Sequence, residues 1–264
     1  MTDRALTFEA AGSTDTGRVR RFNEDAFLIR TASGLWAVSD GMGGHEAGRL
    51  ASSLVVESLE SIQPQETPEL LLTDSGRRLS LANMRLKRIA QDRGYDIIGA
   101  TVVVLLAHGR EYSCVWSGDS RIYRVRGGAI EQLTRDHSEA EELVARGILT
   151  REEVKFWPRR NVITRAIGVA DTAEVEVVSG ELRPEDVYVL CSDGLTGHVE
   201  DEEIRAVVGD PDVDVQTASD RLIALTLERG AKDNVTAVVV RVRRREPTVL
   251  DTSREIPSGW ASSS

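Results

Sequence analysis

One local pattern recurs along the chain and constrains it more than any other: an apolar run of strand character that meets an aspartate at a turn. Leu35-Trp36-Ala37-Val38-Ser39 runs into Asp40-Gly41, and Val187-Tyr188-Val189-Leu190-Cys191-Ser192 runs into Asp193-Gly194. Asp119 follows Gly118 between two apolar runs, and Asp233 stands just before Val235–Val240. A single Asp-Gly is the ordinary signature of a tight turn. Four such aspartates at the mouths of apolar strands ask for more, because turn chemistry does not require apolar approaches. A carboxylate at the end of a buried strand is costly to desolvate unless something positive meets it. Several gathered together raise one another's pKa, and a bound cation is the simplest way to keep them ionised. Every candidate ligand is an oxygen, and His45, His108, His137 and His198 show no zinc-type spacing. That selects a hard, octahedral ion, Mg²⁺ or Mn²⁺, over Zn²⁺.

The rest of the chain sets these aspartates in a mostly antiparallel frame. Residues 6–11 read as a first strand, 12–17 as a loop, and 26–29 as a strand that Gly34 turns back into the one carrying Asp40. Apolar spacing predicts a helix over 46–61, with Leu50, Leu54, Val55 and Leu59 on its face. A second helix, over 69–93, carries Leu72, Leu79, Ala82, Leu86 and Ile89 on one stripe and stops at Gly94. Strands over 99–106, 111–117 and 121–125 are joined by short glycine-containing connections, which favours antiparallel neighbours. The polar stretch 138–170 holds a short helix near 139–146 and another from Thr150, broken at Trp157-Pro158, and reads as a lid or surface insertion. Strands at 173–179 and 187–192, helices at 200–208 and 214–229 (Val215, Ala218, Leu222 and Leu225 inward), and a last strand from Val235 complete the pattern. Strands and helices are segregated instead of alternating, which argues against a doubly wound parallel sheet. The expected class is α+β: a four-layer α-β-β-α sandwich of two mainly antiparallel sheets flanked by helix pairs. After Arg245 the composition turns to Pro, Ser, Gly and Thr, and a disordered tail over 245–264 is expected.

Composition excludes several functions. Of 264 residues, 41% are hydrophobic and 29% charged, ordinary for a chain with a real core, and the net charge of −10 argues against a nucleic-acid surface. Arg241-Val242-Arg243-Arg244-Arg245 is the one basic cluster, and with no aromatic platform beside it, it reads as a solvated strand end. Cys114 and Cys191 lie in apolar runs without metal spacing and read as small buried hydrophobes in a reducing compartment. No secretory leader and no membrane-length apolar run is present, so a cytoplasmic protein is expected.

Arg20 and Glu24 are four residues apart, with Glu24-Asp25 leading into an apolar strand. Spacing alone leaves two readings open: a surface ion pair of little weight, or an arginine clamp for a phosphate beside supporting carboxylates.

Seven segments, in order, resemble the motifs of the metal-dependent protein phosphatases of type 2C. They are Asp15–Ala26, Val38–His45, Gly99-Ala100-Thr101, Ser117–Arg121, Leu133–Ser138, Cys191–Thr196 and Lys232–Thr236. Met42 after Asp-Gly is similar to the bacterial branch. The resemblance covers about 10–242 and implies a catalytic domain over 1–244 with a flap at about 138–160. It further implies two core Mg²⁺ or Mn²⁺ ions and a weaker third. Asp40 would bridge the two core ions, the Gly41 carbonyl would complete the first, and Asp193 and Asp233 would hold the second. Asp119, sharing Asp193, would hold the third. Arg20 would bind the phosphate and Glu24 would act on the attacking water. The implied activity is hydrolysis of phosphoserine and phosphothreonine monoesters on proteins, by a monomer opposing a bacterial Ser/Thr kinase. Pro158–Gly168 resembles phosphatases associated with type VI secretion. Animal members carry a histidine where this chain has Met42, which leaves the leaving-group acid unassigned; His45 is the nearest candidate in sequence. In the flap, Phe156, Trp157, Arg159 and Arg160 read either as packing with solvated charge or as contacts to a phosphoprotein. Two rivals remain: a phosphoprotein-binding regulator without catalysis, and a hydrolase of small phosphate esters.

Overall fold

The computed structural model describes residues 6–245, apart from the His45 side chain. An apolar strand can bury both of its faces because its side chains divide by parity. In β3 (Leu35–Met42), Leu35 and Ala37 enter a cluster beneath two long helices, while Trp36 and Val38 fill the space between two sheets. In β5 (Val102–His108), Val102, Val104 and Leu106 take the helix side and Val103, Leu105 and Ala107 the other. The second sheet repeats the division. β10 (Val187–Cys191) and β11 (Val235–Arg244) send Val189, Cys191, Ala237 and Val239 outward to helices and Tyr188, Leu190, Val238 and Val240 inward. Three stacked apolar clusters need four layers, helix–sheet–sheet–helix.

All strand pairings are antiparallel. One sheet runs β1 (Leu6–Asp15), β11, β10, β7 (Arg121–Arg126) and β8 (Ala129–Gln132). The other runs β2 (Asp25–Arg30), β3, β5, β6 (Glu111–Ser117) and β9 (Glu176–Glu181), with β4 (Gly99–Ala100) beside β3. Helices α1 (His45–Glu60) and α2 (Pro68–Arg93) cover the latter sheet. The one-turn α5 (Asp193–Thr196), α6 (Asp201–Val208) and α7 (Val215–Glu228) cover the former. The excursion over 138–160 carries α3 (Glu139–Ala145) and α4 (Arg151–Val154), the latter opened by a Thr150–Glu153 capping box. The four-layer α+β sandwich expected from element order is the observed architecture.

Several local expectations change. The loop expected over 12–17 is strand as far as Asp15, because Ser13–Asp15 pair with Ala237–Val235 and the Thr14 and Thr236 hydroxyls meet at 2.7 Å. The strand expected at 173–179 lies at 176–181, and β8 and α5 had not been anticipated. On α2, Leu71 and Asn83 are buried alongside Leu79, Ala82 and Leu86, while Leu72 and Ile89 only flank the cluster. Arg241 is not solvated: it is 3% exposed and donates to the carbonyls of Val208 and Asp210. Cys114 and Cys191 are buried free thiols. The tail over 246–264 lies outside the described residues. Among the described residues no helix is long and apolar enough to cross a membrane.

Leu105, 1% exposed between the sheets, tests the middle layer. Leu105→Ala should lower stability by about 2–5 kcal/mol, read as a lower urea midpoint with an unchanged slope. A shift below about 0.5 kcal/mol, the size expected of a surface substitution, would contradict the packing described.

Candidate metal centre

Both sheets bring acid to the same place. Asp25 opens β2 and lies directly across from Asp40 on β3. Asp119 follows Gly118 between β6 and β7, Asp193 begins α5 straight after β10, and Asp233 precedes β11. Asp25 closes the gap between the sheets. Its Oδ2 accepts from Ser192 Oγ at 2.8 Å and from Thr236 Oγ1 at 2.6 Å, both hydroxyls belonging to the opposite sheet's strand ends.

The electrostatics of this cluster are unfavourable for bare protein. Burial, then the charges of Asp193 and Asp233, push Asp25 up to about 7 against the pull of its two hydroxyl donors. Burial and then Asp233 push Asp193 up to about 6. Asp40 is held well above the usual carboxylate range by burial and by Asp25, Asp193, Asp119 and Asp233; Asp119 is held there by burial, Asp193 and Asp136. Two buried oxygens, Asp25 Oδ1 and Asp193 Oδ1, have no hydrogen-bond partner, and such orphans are rare. An all-oxygen, mutually repelling donor set with orphaned lone pairs fits a hard divalent cation. As the side chains stand, no three His, Cys, Asp or Glu among the described residues converge tightly enough to hold an ion. The carboxylates face one another at electrostatic range, and drawing them closer costs repulsion that a cation offsets.

The backbone around the acids is firmly braced. Thr101 donates its N–H to the Asp40 carbonyl at 2.8 Å, and its Oγ1 accepts from the Asp40 N–H at 3.1 Å. The same hydroxyl lies 2.8 Å from Ser120 Oγ, so Gly99-Ala100-Thr101 links the Asp40 and Asp119 loops. Asn234 accepts from Glu24 N–H and donates to the carbonyls of Thr16 and Phe22, fixing the loop that presents Arg20. At Gly41 a Cβ would lie 1.9 Å from the Gly48 carbonyl oxygen, and at Gly48 it would lie 1.8 Å from Glu24 Oε2. No side chain fits at Gly41, because both walls are backbone.

The expected site residues are placed as follows. Asp40, Asp119, Asp193 and Asp233 act electrostatically on one another as a single cluster. Arg20 donates to Asp233 Oδ2 at 2.7 Å from an exposed position, and this pairing raises its already high pKa further. Glu24 accepts the Gly41 N–H through its carbonyl, and its carboxylate lies against Gly48 at the start of α1. Met42 ends β3, and the His45 side chain lies outside what the structure describes. A cavity of about 710 Å³ opens from Asp119, Asp193 and Asp233 to the flap residues Lys155, Arg160 and Asn161. In the flap, Trp157 Nε1 and Arg159 both engage the Glu139 carboxylate, while Phe156 is 76% exposed beneath Lys155. Asp25 was missed as a central carboxylate, because it begins a strand instead of ending one and has no glycine beside it.

Fold and site together define a class: a two-sheet sandwich with an acidic, divalent-cation-type centre where the sheets meet. The chain belongs to the Protein phosphatase 2C family, whose model matches residues 11–235. It is 35% identical over 238 residues to the serine/threonine protein phosphatase PstP of Mycobacterium tuberculosis, covering 90% of this chain. It spans just under half of that relative, 45% of its length. Among solved structures it is similar to PppA, described as a key regulatory component of T6SS in Pseudomonas aeruginosa. The identity there is 40%, the TM-score 0.82, and the match covers 89% of this chain and 98% of that one. It is also similar to the catalytic domain of PstP in complex with two manganese ions, at 34% identity and TM-score 0.82, covering 90% and 99%.

The raised carboxylates predict a pH signature for metal-free protein. Asp25 titrates at about 7 folded against about 3.9 unfolded, so the folded chain holds the extra proton between those values. Stability therefore falls as pH rises through that window and is lost above it. Asp193, Asp40 and Asp119 act in the same direction, whereas His137, lowered by burial, opposes them as one group against four. Glu203, pulled down to about 2 by Arg229, titrates outside the range. In EDTA the melting temperature should fall between pH 5.5 and 8, and added Mn²⁺ should stabilise most at pH 8. A melting temperature that rises over this range in EDTA would contradict the cluster's electrostatics.

Proposed function

We propose that this chain is a Mg²⁺- or Mn²⁺-dependent protein phosphatase that hydrolyses phosphoserine and phosphothreonine monoesters. The observation that carries the reading is the meeting of Asp25, Asp40, Asp119, Asp193 and Asp233 at the junction of two sheets, with buried oxygens left without partners. Asp40, the Gly41 carbonyl, Asp193 and Asp233 would hold two core ions, and Asp119 with Asp193 a weaker third. When bound, such a pair lowers the pKa of water and templates in-line displacement at phosphorus.

The chain's own residues do the rest. Arg20 is exposed and carries a guanidinium matched to phosphate oxygens; exchanging Asp233 for the phosphate lets it neutralise the equatorial oxygens as charge spreads over them. Thr101 and Asn234 hold the Asp40 and Arg20 loops so that little reorganisation is needed. Glu24, whose carboxylate lies against Gly48, is the residue we assign to orienting the attacking water. Asp25 holds the two halves together from below through Ser192 and Thr236. The flap cavity, with Lys155 and Arg160, receives the protein that carries the phosphate.

The chain is proposed to act in the cytoplasm as a monomer on phosphoproteins, opposing a bacterial Ser/Thr kinase. The likeness to PppA and the Pro158–Gly168 segment support a link to type VI secretion.

Turnover of a phosphothreonine peptide with Mn²⁺, compared with Asp193→Ala and Arg20→Ala, tests the reading. Asp193→Ala should abolish metal-dependent turnover. Arg20→Ala should lower kcat/KM by about 10- to 100-fold, the weight of a charge-assisted hydrogen-bond pair. Phosphopeptide binding without turnover would point to a non-catalytic regulator. Cleavage of small esters alone would point to a small-molecule hydrolase.

A further inference from the structure

Outside the carboxylate cluster, His137 is a buried titratable side chain, 6% exposed, at the base of the flap. It holds Gly118, the residue before Asp119, at both of its polar atoms. Its backbone N–H donates to the Gly118 carbonyl at 2.9 Å, and its Nδ1 accepts the Gly118 N–H at 3.1 Å. An Nδ1 that accepts a hydrogen bond carries no proton, so the neutral ring is protonated at Nε2. That nitrogen faces Glu176 Oε1 at 3.3 Å, an acceptor that Arg165 also engages at 2.8 Å. Burial and the Arg165 charge both disfavour a second proton on the ring. The ring also stacks on Trp116, centroids 6.0 Å apart and planes 19° from parallel. Trp116 in turn donates from Nε1 to the Arg135 carbonyl. Glu176 beside Nε2 and Trp116 against the ring face thus hold the ring together with Gly118, with the Arg165 guanidinium 3.5 Å from Nε2.

Gly118 has little freedom on its other side. Its φ is +111°, and a Cβ there would lie 2.6 Å from the Thr101 side chain, the same residue that braces Asp40. His137 also closes the flap's stem: its carbonyl accepts from Thr164 N–H at 2.8 Å, Ser138 bridges to Ile163, and Glu139 N–H donates to the Val162 carbonyl. One residue therefore joins the flap's two ends to the loop that carries Asp119.

We propose that His137 is a positioning residue, whose Nδ1 and backbone N–H set the reach of Asp119 toward the cation it would share with Asp193. The inference rests on the reading of Asp119 as a ligand. It does not involve His137 in the chemistry, since its ring touches neither the acids nor the cavity above them.

Two substitutions of similar polarity separate the ring's two nitrogens. In His137→Asn the amide oxygen can stand where Nδ1 stands and accept the Gly118 N–H. In His137→Gln the amide reaches the Nε2 position and leaves the Gly118 N–H without its acceptor. Mn²⁺ binding to purified, EDTA-stripped protein is followed by titration calorimetry, alongside the Mn²⁺ dependence of phosphopeptide turnover. His137→Asn should bind Mn²⁺ within about threefold of the unaltered protein, while His137→Gln should weaken the weakest binding event by about tenfold or more, as loss of a ligand-orienting partner does. In an Asp119→Ala background the His137→Gln effect should vanish, because His137 acts through Asp119. Equal Mn²⁺ isotherms for the Asn and Gln variants would overturn the proposal, as would a His137→Gln effect that persists without Asp119. Failure of the phosphatase reading looks different: the unaltered protein would show no turnover, while calorimetry would still report on His137.

Discussion

The repulsion among five carboxylates at the junction of two sheets is the constraint around which this molecule is built. Left to itself, such a cluster would push the sheets apart at that end. Asp25 prevents this by accepting hydroxyl hydrogen bonds from Ser192 and Thr236 across the gap. Burial, followed by the charges of Asp193 and Asp233, pushes its carboxyl up to about 7 against the pull of those same bonds. The sandwich supplies what the cluster lacks: a middle layer of Trp36, Val38, Val103, Leu105, Tyr188, Leu190, Val238 and Val240 that fixes the strand ends in place. Apolar burial over that layer is large and non-directional, so it can hold acids together at a point where their own interaction is adverse.

What was legible in the sequence follows from which interactions leave local traces. Asp193 announces itself because an apolar strand ends just before it, and Asp40 because an apolar run breaks there although β3 continues to Met42; Gly41 and Gly194 follow at once. The two-sheet frame was legible because parity, short connections and the segregation of helices from strands are one-dimensional signals. Asp25 was not legible as a central member. Its importance comes from Ser192 and Thr236, which lie 167 and 211 residues away. The extension of β1 through Ser13–Asp15 was hidden for the same reason, since polar residues there are held by pairing with β11 and not by their own propensity. Arg241 looked like part of a solvated basic run; only the tertiary fold supplies the Val208 and Asp210 carbonyls that bury it.

The residues around the acids divide into those held by backbone and those held by side chains alone. Thr101 grips the Asp40 main chain with its N–H and its hydroxyl, the Asn234 side chain grips the main chain of the loop from Thr16 to Glu24 through three bonds, and Gly41 is walled in by main chain. These are the parts where the proposed chemistry needs fixed geometry. Arg20 is held by one exposed ion pair to Asp233, and such a pair is worth little in water. The flap's Arg159 and Trp157 are held by Glu139. Rigidity is concentrated beneath the acids, and the groups that would meet a substrate are secured by interactions weak enough to exchange.

That division bears on how so acidic a centre would receive the doubly charged phosphate ester proposed as its substrate. Arg20 sits beside Asp233, and Lys155, Arg160 and Lys232 line the same cavity as Asp193 and Asp233, so positive charge stands close to these carboxylates. The cavity wall is of mixed sign, with Asp136, Glu141 and Glu200 beside these cations, and it concentrates positive charge locally despite the chain's net charge of −10. Within a Debye length of about 8 Å at physiological salt the nearest charges dominate, so the local arrangement outweighs the global sum. The carboxylates in turn are screened from the phosphate only as far as cations are bound among them. Under the proposed function, cation binding below and phosphate binding above would therefore be coupled through the same charges, each lowering the electrostatic cost of the other.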